Sequence, residues 1–296
     1  MDWARDGHDW PNATASRMID CRPHRWHVQV AGLGPTVLLL HGAGGASQSW
    51  RRVFPILARD HRVVAPDFPG QGFTRMGSRW RSGLDATADD LLAMLRQEGW
   101  LPDVIVGHSA GAAVALRMAE LMGGRLKGVI GINPALEPFK GITGFLFPFM
   151  ARMLAMNPLT PLLFTRFSGG PSRVAELLAT TGSRIDEEGL RLYGRLIRDS
   201  GHVDGTLAMM SQWKLDGLIA RMPENAVPCL FLVGERDGTV PPSTARDAAA
   251  RLPCARVESL GPLGHLAHEE EPDRIARRIA EEVQALVSGP VGAETP

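Results

Sequence analysis

The sequence predicts an α/β fold, a mostly parallel, doubly wound sheet interrupted by an inserted helical cap. Three observations carry this expectation. Short, continuously apolar runs recur along the chain, as strands buried on both faces require. Helical patterns alternate with them, which implies right-handed crossovers. The alternation then stops between residues 134 and 227, where strand-like runs give way to helical ones. The expected organisation is therefore a core of residues 1–133 and 228–296 and a cap of residues 134–227.

Taken in order, the apolar runs place strands at 28–31, 36–40, 62–65, 103–106, 128–132, 229–233 and 256–260. Periodic stretches between them place helices at 48–59, 86–98, 110–122, 243–251 and 273–286. The helix at 110–122 is the best supported, because Ala112-Ala113-Val114-Ala115-Leu116 is a run dominated by strong helix formers. The cap opens on a dense apolar stretch that includes Phe139, Phe145, Phe149 and Met153, with Lys140, Arg152 and Arg166 interrupting it. Plain packing on the core, contact with a membrane surface and a wide hydrophobic pocket all fit that composition. Pro148, Pro158 and Pro161 break any long helix there and exclude a membrane span.

Bulk composition narrows the function. The 296 residues carry 32 Lys and Arg against 32 Asp and Glu, so no polyanion partner is expected and nucleic acid is excluded. Cys21, Cys229 and Cys254 stand far apart in no paired spacing, which fits a reducing compartment and no disulfide framework. The charged start, Met1-Asp2-Trp3-Ala4-Arg5-Asp6, has no apolar stretch behind it, so no secretory signal is read and a cytoplasmic location is expected, with membrane association through the cap as the variant.

The chemistry centres on Gly107-His108-Ser109-Ala110-Gly111, directly after the strand at 103–106. It reads as a nucleophile elbow, a strand-to-helix turn in which small residues let a serine hydroxyl stand clear of the sheet. A serine hydroxyl needs a base, and the base needs an orienting acid. In this fold they follow the nucleophile in the order acid, then base. Asp237 lies just past the strand at 229–233, and His265 follows the glycine-rich loop after the strand at 256–260. His265 is expected to take the Ser109 proton and Asp237 to hold the imidazole, with Glu137 as the substitute acid.

His41-Gly42-Ala43-Gly44-Gly45 closes the strand at 36–40, where backbone amides can converge on a developing oxyanion; Ala43 and Ala110 are the expected donors. His41 and Phe68 are expected to line the substrate pocket together with Phe139, Phe145, Phe149 and Met153. Asp67-Phe68-Pro69-Gly70-Gln71-Gly72 reads chiefly as a turn builder, His108 as a buried hydrogen-bonding residue and His268 as a brace for its loop. His265-Leu266-Ala267-His268-Glu269 matches neither zinc-protease spacing, and Gly42-x-Gly44 lacks a third glycine, so no metal and no cofactor is expected.

Five ordered blocks resemble the α/β-hydrolase family over roughly residues 25–287: His41-Gly42-x-Gly44-Gly45, Asp67-x-Pro69-Gly70-x-Gly72, Gly107-His108-Ser109-x-Gly111, the Asp237 loop, and Gly264-His265-x-x-His268-x-Glu270-x-Pro272. The resemblance implies Ser109, Asp237 and His265 as the triad and a cap between the sixth and seventh strands. The opening Met1-Asp2-Trp3-Ala4-Arg5-Asp6-Gly7-x-Asp9-Trp10-Pro11-Asn12, with Arg25-Trp26-His27-Val28-Gln29, resembles a narrower group, the magnesium-chelatase accessory proteins of bacteriochlorophyll synthesis in phototrophic bacteria. What this implies is a hydrolase working alongside magnesium chelatase on a hydrophobic substrate, porphyrin-like or acyl, or else a non-catalytic accessory protein that binds a porphyrin or the chelatase on the same scaffold. A dehalogenase is disfavoured, since that chemistry places a carboxylate at the elbow; a cofactor-free peroxidase or carbon–carbon bond hydrolase would keep the same three residues.

Overall fold

A computed structural model describes residues 1–137 and 171–288. Phe139, Phe145, Phe149 and Met153 lie outside the described residues, as do the cap's first third and the tail at 289–296.

Eight strands form one sheet: β1 (Ser16–Cys21), β2 (His24–Ala31), β3 (Thr36–Leu40), β4 (Arg62–Pro66), β5 (Val104–His108), β6 (Gly128–Ile132), β7 (Cys229–Val233) and β8 (Ala255–Ser259). Their spatial order is β1-β2-β4-β3-β5-β6-β7-β8. β2 runs antiparallel to both β1 and β4, and every pairing from β4 through β8 is parallel. β1 escaped the sequence reading because it is an edge strand with mixed polarity, Ser-Arg-Met-Ile-Asp-Cys, and buries no residue fully.

The parallel strands are buried on both faces, and their side chains sort by parity. Leu38, Leu40, Val64 and Ile105 join Leu91 and Leu95 of α3 (Leu84–Gln97) and Val114 and Met118 of α4 (Ala110–Met122) on one side. Val37, Leu39, Val63, Val104 and Val106 meet the other side, where Phe54 and Leu57 come from the short helix α2 (Val53–Leu57) and Ile275, Ile279 and Val283 from the C-terminal helix. The single helix expected at 48–59 is instead a 3-10 turn, Ser47–Trp50, followed by α2. Pro55 explains the late start: proline lacks an amide hydrogen and is tolerated only in a helix's first turn, where α2 places it.

A short helix, α1 (Trp3–Asp6), opens the chain. Among the described residues, only helices lie between β6 and β7: α5 (Pro171–Ala179), α6 (Glu187–Arg198), α7 (Ser200–Ser211), α8 (Asp216–Arg221) and a 3-10 turn, Met222–Glu224. After β7 come α9 (Pro242–Ala249), α10 (Ala267–Glu270) and α11 (Pro272–Ser288). A third apolar cluster ties the inserted helices to the rest. Val174 and Leu178 of α5 and Leu192 and Leu196 of α6 pack with Trp10, Ala46, Phe73 and Leu266. Among the described residues no helix is long and apolar enough to cross a membrane.

Candidate active site

β5 stops at His108 and α4 starts at Ala110, which leaves Ser109 alone on the corner. Its φ of 52° and ψ of −118° lie in a region that costs a non-glycine residue on the order of 1–3 kcal/mol. The neighbours hold it there. Ser109 N–H donates to the Ile132 carbonyl at 3.0 Å, and the Ser109 carbonyl accepts the Ala112 and Ala135 amides at 3.1 and 3.2 Å. A Cβ on Gly107 would sit 2.4 Å from the Gly111 carbonyl oxygen, and one on Gly111 would sit 2.3 Å from that of Leu40. The corner is possible only with both glycines.

The loops after β7 and β8 bring the acid and the base together. Asp237 Oδ2 lies 2.7 Å from His265 Nδ1, so Nδ1–H donates and Nε2 is left as the basic nitrogen. Asp237 is itself aimed by an Asx turn, its Oδ1 accepting the Thr239 and Val240 amides at 2.7 and 2.8 Å. The carboxylate at His265 is thus Asp237, while Glu137, the alternative acid, is partly buried in the turn after β6. The His265 ring lies 4.7 Å, centroid to centroid, from the ring of His108, the residue before Ser109. Among the described residues the Ser109 hydroxyl makes no hydrogen bond; in unliganded enzymes hydroxyl-to-base bonds are often long.

Three other histidines surround this pair, and each has a definite task. His108 Nε2–H donates to the His265 carbonyl at 2.9 Å and so anchors the base's backbone. Burial, reinforced by the neighbouring His268 and His265, holds His108 well below the ordinary histidine value, so it stays neutral. His268 braces its loop by stacking rather than by hydrogen bonding. Its ring lies 4.5 Å from both the Trp50 and the His108 rings, and neither nitrogen has a hydrogen-bond partner among the described residues. His41 and Phe68, expected to contact substrate, are both fully buried, with ring centroids 4.4 Å apart. His41 Nε2 accepts the Phe68 amide at 2.9 Å, so Nδ1 carries the hydrogen and donates to the Gly42 carbonyl at 2.8 Å.

That last bond orients the expected oxyanion donor. The Gly42 carbonyl and the Ala43 N–H belong to one planar peptide unit and point in opposite directions. His41 Nδ1–H and the Gly45 amide, at 3.1 Å, pin the carbonyl, and the Ala43 N–H is left unpaired among the described residues. The loop presses directly on the elbow: a Cβ on Gly42 would lie 3.1 Å from Ser109 Cβ. Ala110, the second expected donor, is the first residue of α4, where helix amides have no partner within the helix. Asp67 is the turn builder its sequence suggested. Burial opposes its charge, but His27 Nδ1–H at 2.7 Å, with His41 and the Phe73 amide, holds its pKa down at about 2.

Sequence reasoning missed Asn133. It follows β6 with a φ of 45°, a left-handed conformation that asparagine tolerates better than most residues. Its Nδ2 donates to the Gly264 and His265 carbonyls, both at 2.9 Å, and its Oδ1 accepts the Gly234 amide at 2.8 Å. One side chain therefore clamps both loops that carry the acid and the base. The signal available was an Asn at the end of a buried strand, which is weak by itself. The turn after α5 was missed as well: the Thr181 carbonyl accepts the Gly238 and His265 amides at 3.0 and 3.1 Å. Among the described residues no three His, Cys, Asp or Glu side chains converge as a metal site.

Known proteins share this fold. The alpha/beta hydrolase fold family matches residues 35–272. The chain is 40% identical over 273 residues to the magnesium-chelatase 30 kDa subunit of Rhodobacter capsulatus, covering 92% of this chain and 95% of that protein. It is 29% identical over 235 residues to the pimeloyl-[acyl-carrier protein] methyl ester esterase of Vibrio atlanticus, covering 77% and 85% of the two chains. Among solved structures, a thermophilic esterase from Thermogutta terrifontis superposes with a TM-score of 0.72 at 22% identity, covering 92% of this chain and 98% of that one.

Proposed function

The chain belongs to the alpha/beta hydrolase fold family, and from that premise we propose that it is a serine hydrolase cleaving an ester, thioester or amide of a hydrophobic acid. Ser109 Oγ attacks the carbonyl carbon while His265 Nε2 takes its proton, and the developing oxyanion is held by the Ala43 and Ala110 amides. The leaving group departs with the proton from His265. Water, deprotonated by the same nitrogen, then releases the acid and restores Ser109. Asp237 keeps the imidazole in the tautomer this cycle needs and stabilises its cation. His41 orients the Ala43 donor instead of touching substrate. The helices of residues 134–227 act as a cap over Ser109, with Phe139, Phe145, Phe149 and Met153 as its proposed apolar lining.

The observation that carries this reading is the 2.7 Å Asp237–His265 bond, set at the strand ends around a serine held at positive φ. An unused serine gains nothing from that strain. The test is labelling by an alkyl fluorophosphonate. Wild type should take one label at Ser109, Ser109→Ala none, and Asp237→Asn should react roughly 10³–10⁴-fold more slowly. Folded wild type that takes no label would end the proposal.

Similarity to the magnesium-chelatase 30 kDa subunit supports placing this hydrolase beside magnesium chelatase, in bacteriochlorophyll synthesis. The same similarity favours one other reading, an accessory protein that binds a porphyrin or the chelatase without catalysis. Titrating protoporphyrin IX and its magnesium complex against micromolar protein separates the two: a spectral shift that survives Ser109→Ala, with no labelling of wild type, selects the accessory role.

A further inference from the structure

We propose that His202, on the inserted helix α7, is a positioning residue for the oxyanion loop, so that stabilisation of the transition state depends on the inserted helices being docked. This rests on the reading of Ser109 as nucleophile and Ala43 as oxyanion donor.

His202 lies 3% exposed between two loops of the core. Its Nδ1 accepts the Gly72 amide at 3.0 Å. That contact fixes the tautomer: Nε2 carries the hydrogen and donates to the Gly44 carbonyl at 3.1 Å. Burial holds its pKa down at about 4, so the neutral form with one donor and one acceptor is the form present near neutrality. The side chain is aimed as well as buried, because the Asp199 carboxylate caps α7 by accepting the His202 amide at 2.8 Å.

The helix reaches the loop because glycines let it. A Cβ on Gly205 would lie 2.2 Å from the Gly70 carbonyl oxygen, and one on Gly70 would lie 2.8 Å from Gly205 Cα. Gln71 adds a second tie: its Oε1 accepts the Gly44 amide at 2.9 Å while its Nε2 lies 3.1 Å from Met209 Sδ on the same helix.

Three successive peptide units are thereby fixed. Gly42 O is held by His41 and Gly45, Gly44 N–H by Gln71, and Gly44 O by His202. The Ala43 N–H belongs to the first of these units, and the other two fix the chain that leads away from it. His41 belongs to the core, whereas His202 is contributed by the insertion. A loop with backbone φ of 78° at Gly44 has many alternatives open to it, and the imidazole removes them before substrate arrives. Preorganised donors of this kind act on the charge that develops during reaction, so their loss falls on kcat rather than on KM.

The test uses the full chain, p-nitrophenyl esters of graded acyl length, and the rate of fluorophosphonate labelling at Ser109. His202→Asn keeps an acceptor where Nδ1 stood but has no donor that reaches Gly44. His202→Gln places an amide NH₂ near the Nε2 position. The Asn variant should lose roughly 10- to 100-fold in kcat and in labelling rate, with KM changed less than about twofold. The Gln variant should recover most of that loss. A folded Asn variant with wild-type kcat, or one whose loss lies in KM alone, overturns the inference. Should the Asn variant not fold, the Gln variant decides: kcat within about threefold of wild type supports the donor role, and a loss of 10-fold or more overturns it. Wild type that neither hydrolyses ester nor takes label refutes the hydrolase reading itself, whereas active wild type with an indifferent His202→Asn refutes only this inference.

Discussion

Tyr193 Oη, on α6, donates to Glu269 Oε1 at 2.8 Å, linking the inserted helices to the short helix that follows His265. The other Glu269 oxygen pairs with Arg51, whose guanidinium also reaches Asp186 Oδ1, the cap of α6, at 2.5 Å. Arg51 and Glu269 are both buried, so each carries a desolvation cost that their pairing, with Asp186 on one side and Tyr193 on the other, offsets.

Arg51→Met should therefore destabilise far more than its surface chemistry suggests. Above about pH 7, where Glu269 is ionised, it strands that carboxylate in a dry site, at a cost of up to about 3–5 kcal/mol. Tyr193→Phe removes a single hydrogen bond to the same group and should cost about 1–3 kcal/mol. Urea unfolding gives both values. In the double replacement Arg51→Met with Glu269→Leu no charge is left unpaired, so it should recover much of the single variant's loss. An Arg51→Met protein as stable as wild type would show that the pair does not hold the inserted helices.

The pH dependence of stability follows from the buried imidazoles. Burial holds His202 at about 4 and His268 at about 3, against an ordinary value of 6.5, and His108 well below it. The unfolded chain thus takes up these protons first as the pH drops. Their contribution is present above pH 6.5 and is lost as pH falls toward 4 and 3. Glu269 acts in the opposite sense: burial lifts it to about 7, so its contribution is present below 4.5 and fades as pH rises through about 7. With His24 and His41, which burial also lowers, five histidines outweigh one carboxyl, so the unfolding free energy should fall between pH 7 and pH 5. His268→Leu, which also removes two buried nitrogens without partners among the described residues, should flatten that slope by about one proton, or ~1.4 kcal/mol per pH unit. An unchanged slope would mean that His268 titrates normally in the folded protein.

What the sequence disclosed is what backbone physics dictates locally. The buried parallel strands were legible because β3, β5, β6 and β7 are apolar but for Thr36 and His108 at their ends, and the elbow because Gly107 and Gly111 flank a serine directly after such a strand. Asp237 and His265 were legible from their order beyond strand ends, and the structure brings them to hydrogen-bonding distance. The roles of His41 and Phe68 were not, since a residue's burial depends on partners remote in sequence, here each other and the Gly42 carbonyl. Asn133 and His202 were missed for the same reason. Each does its work through backbone groups more than 100 positions away, at Gly264 and at Gly44, and no periodicity encodes such a contact. β1 was missed because an edge strand buries too little to show a pattern.

Three glycines separate constraint by backbone from constraint by side chain. At Gly111 an added methyl would meet the Leu40 carbonyl oxygen at 2.3 Å, and a strand backbone in mid-sheet cannot yield; Gly111→Ala should cost about 3 kcal/mol or more and leave little folded protein. At Gly42 the methyl would meet His108 Nδ1 at 2.9 Å, a ring atom that can shift, and Ser109 Cβ at 3.1 Å, which moves only with the backbone of the elbow. Gly42→Ala should fold at a cost of about 1–3 kcal/mol, but with the elbow and the Ala43 amide displaced it should slow fluorophosphonate labelling at Ser109 by roughly 10²-fold. Gly124 has nothing within 4 Å of the added atom and no positive φ, so Gly124→Ala should be neutral or stabilise by about 0.5 kcal/mol through the unfolded chain. Melting temperature and labelling rate, measured on all three, separate the two effects. If Gly42→Ala lowers stability and leaves the labelling rate untouched, the 42–45 loop supports the fold without serving Ser109, and Ala43 is not a donor to the transition state.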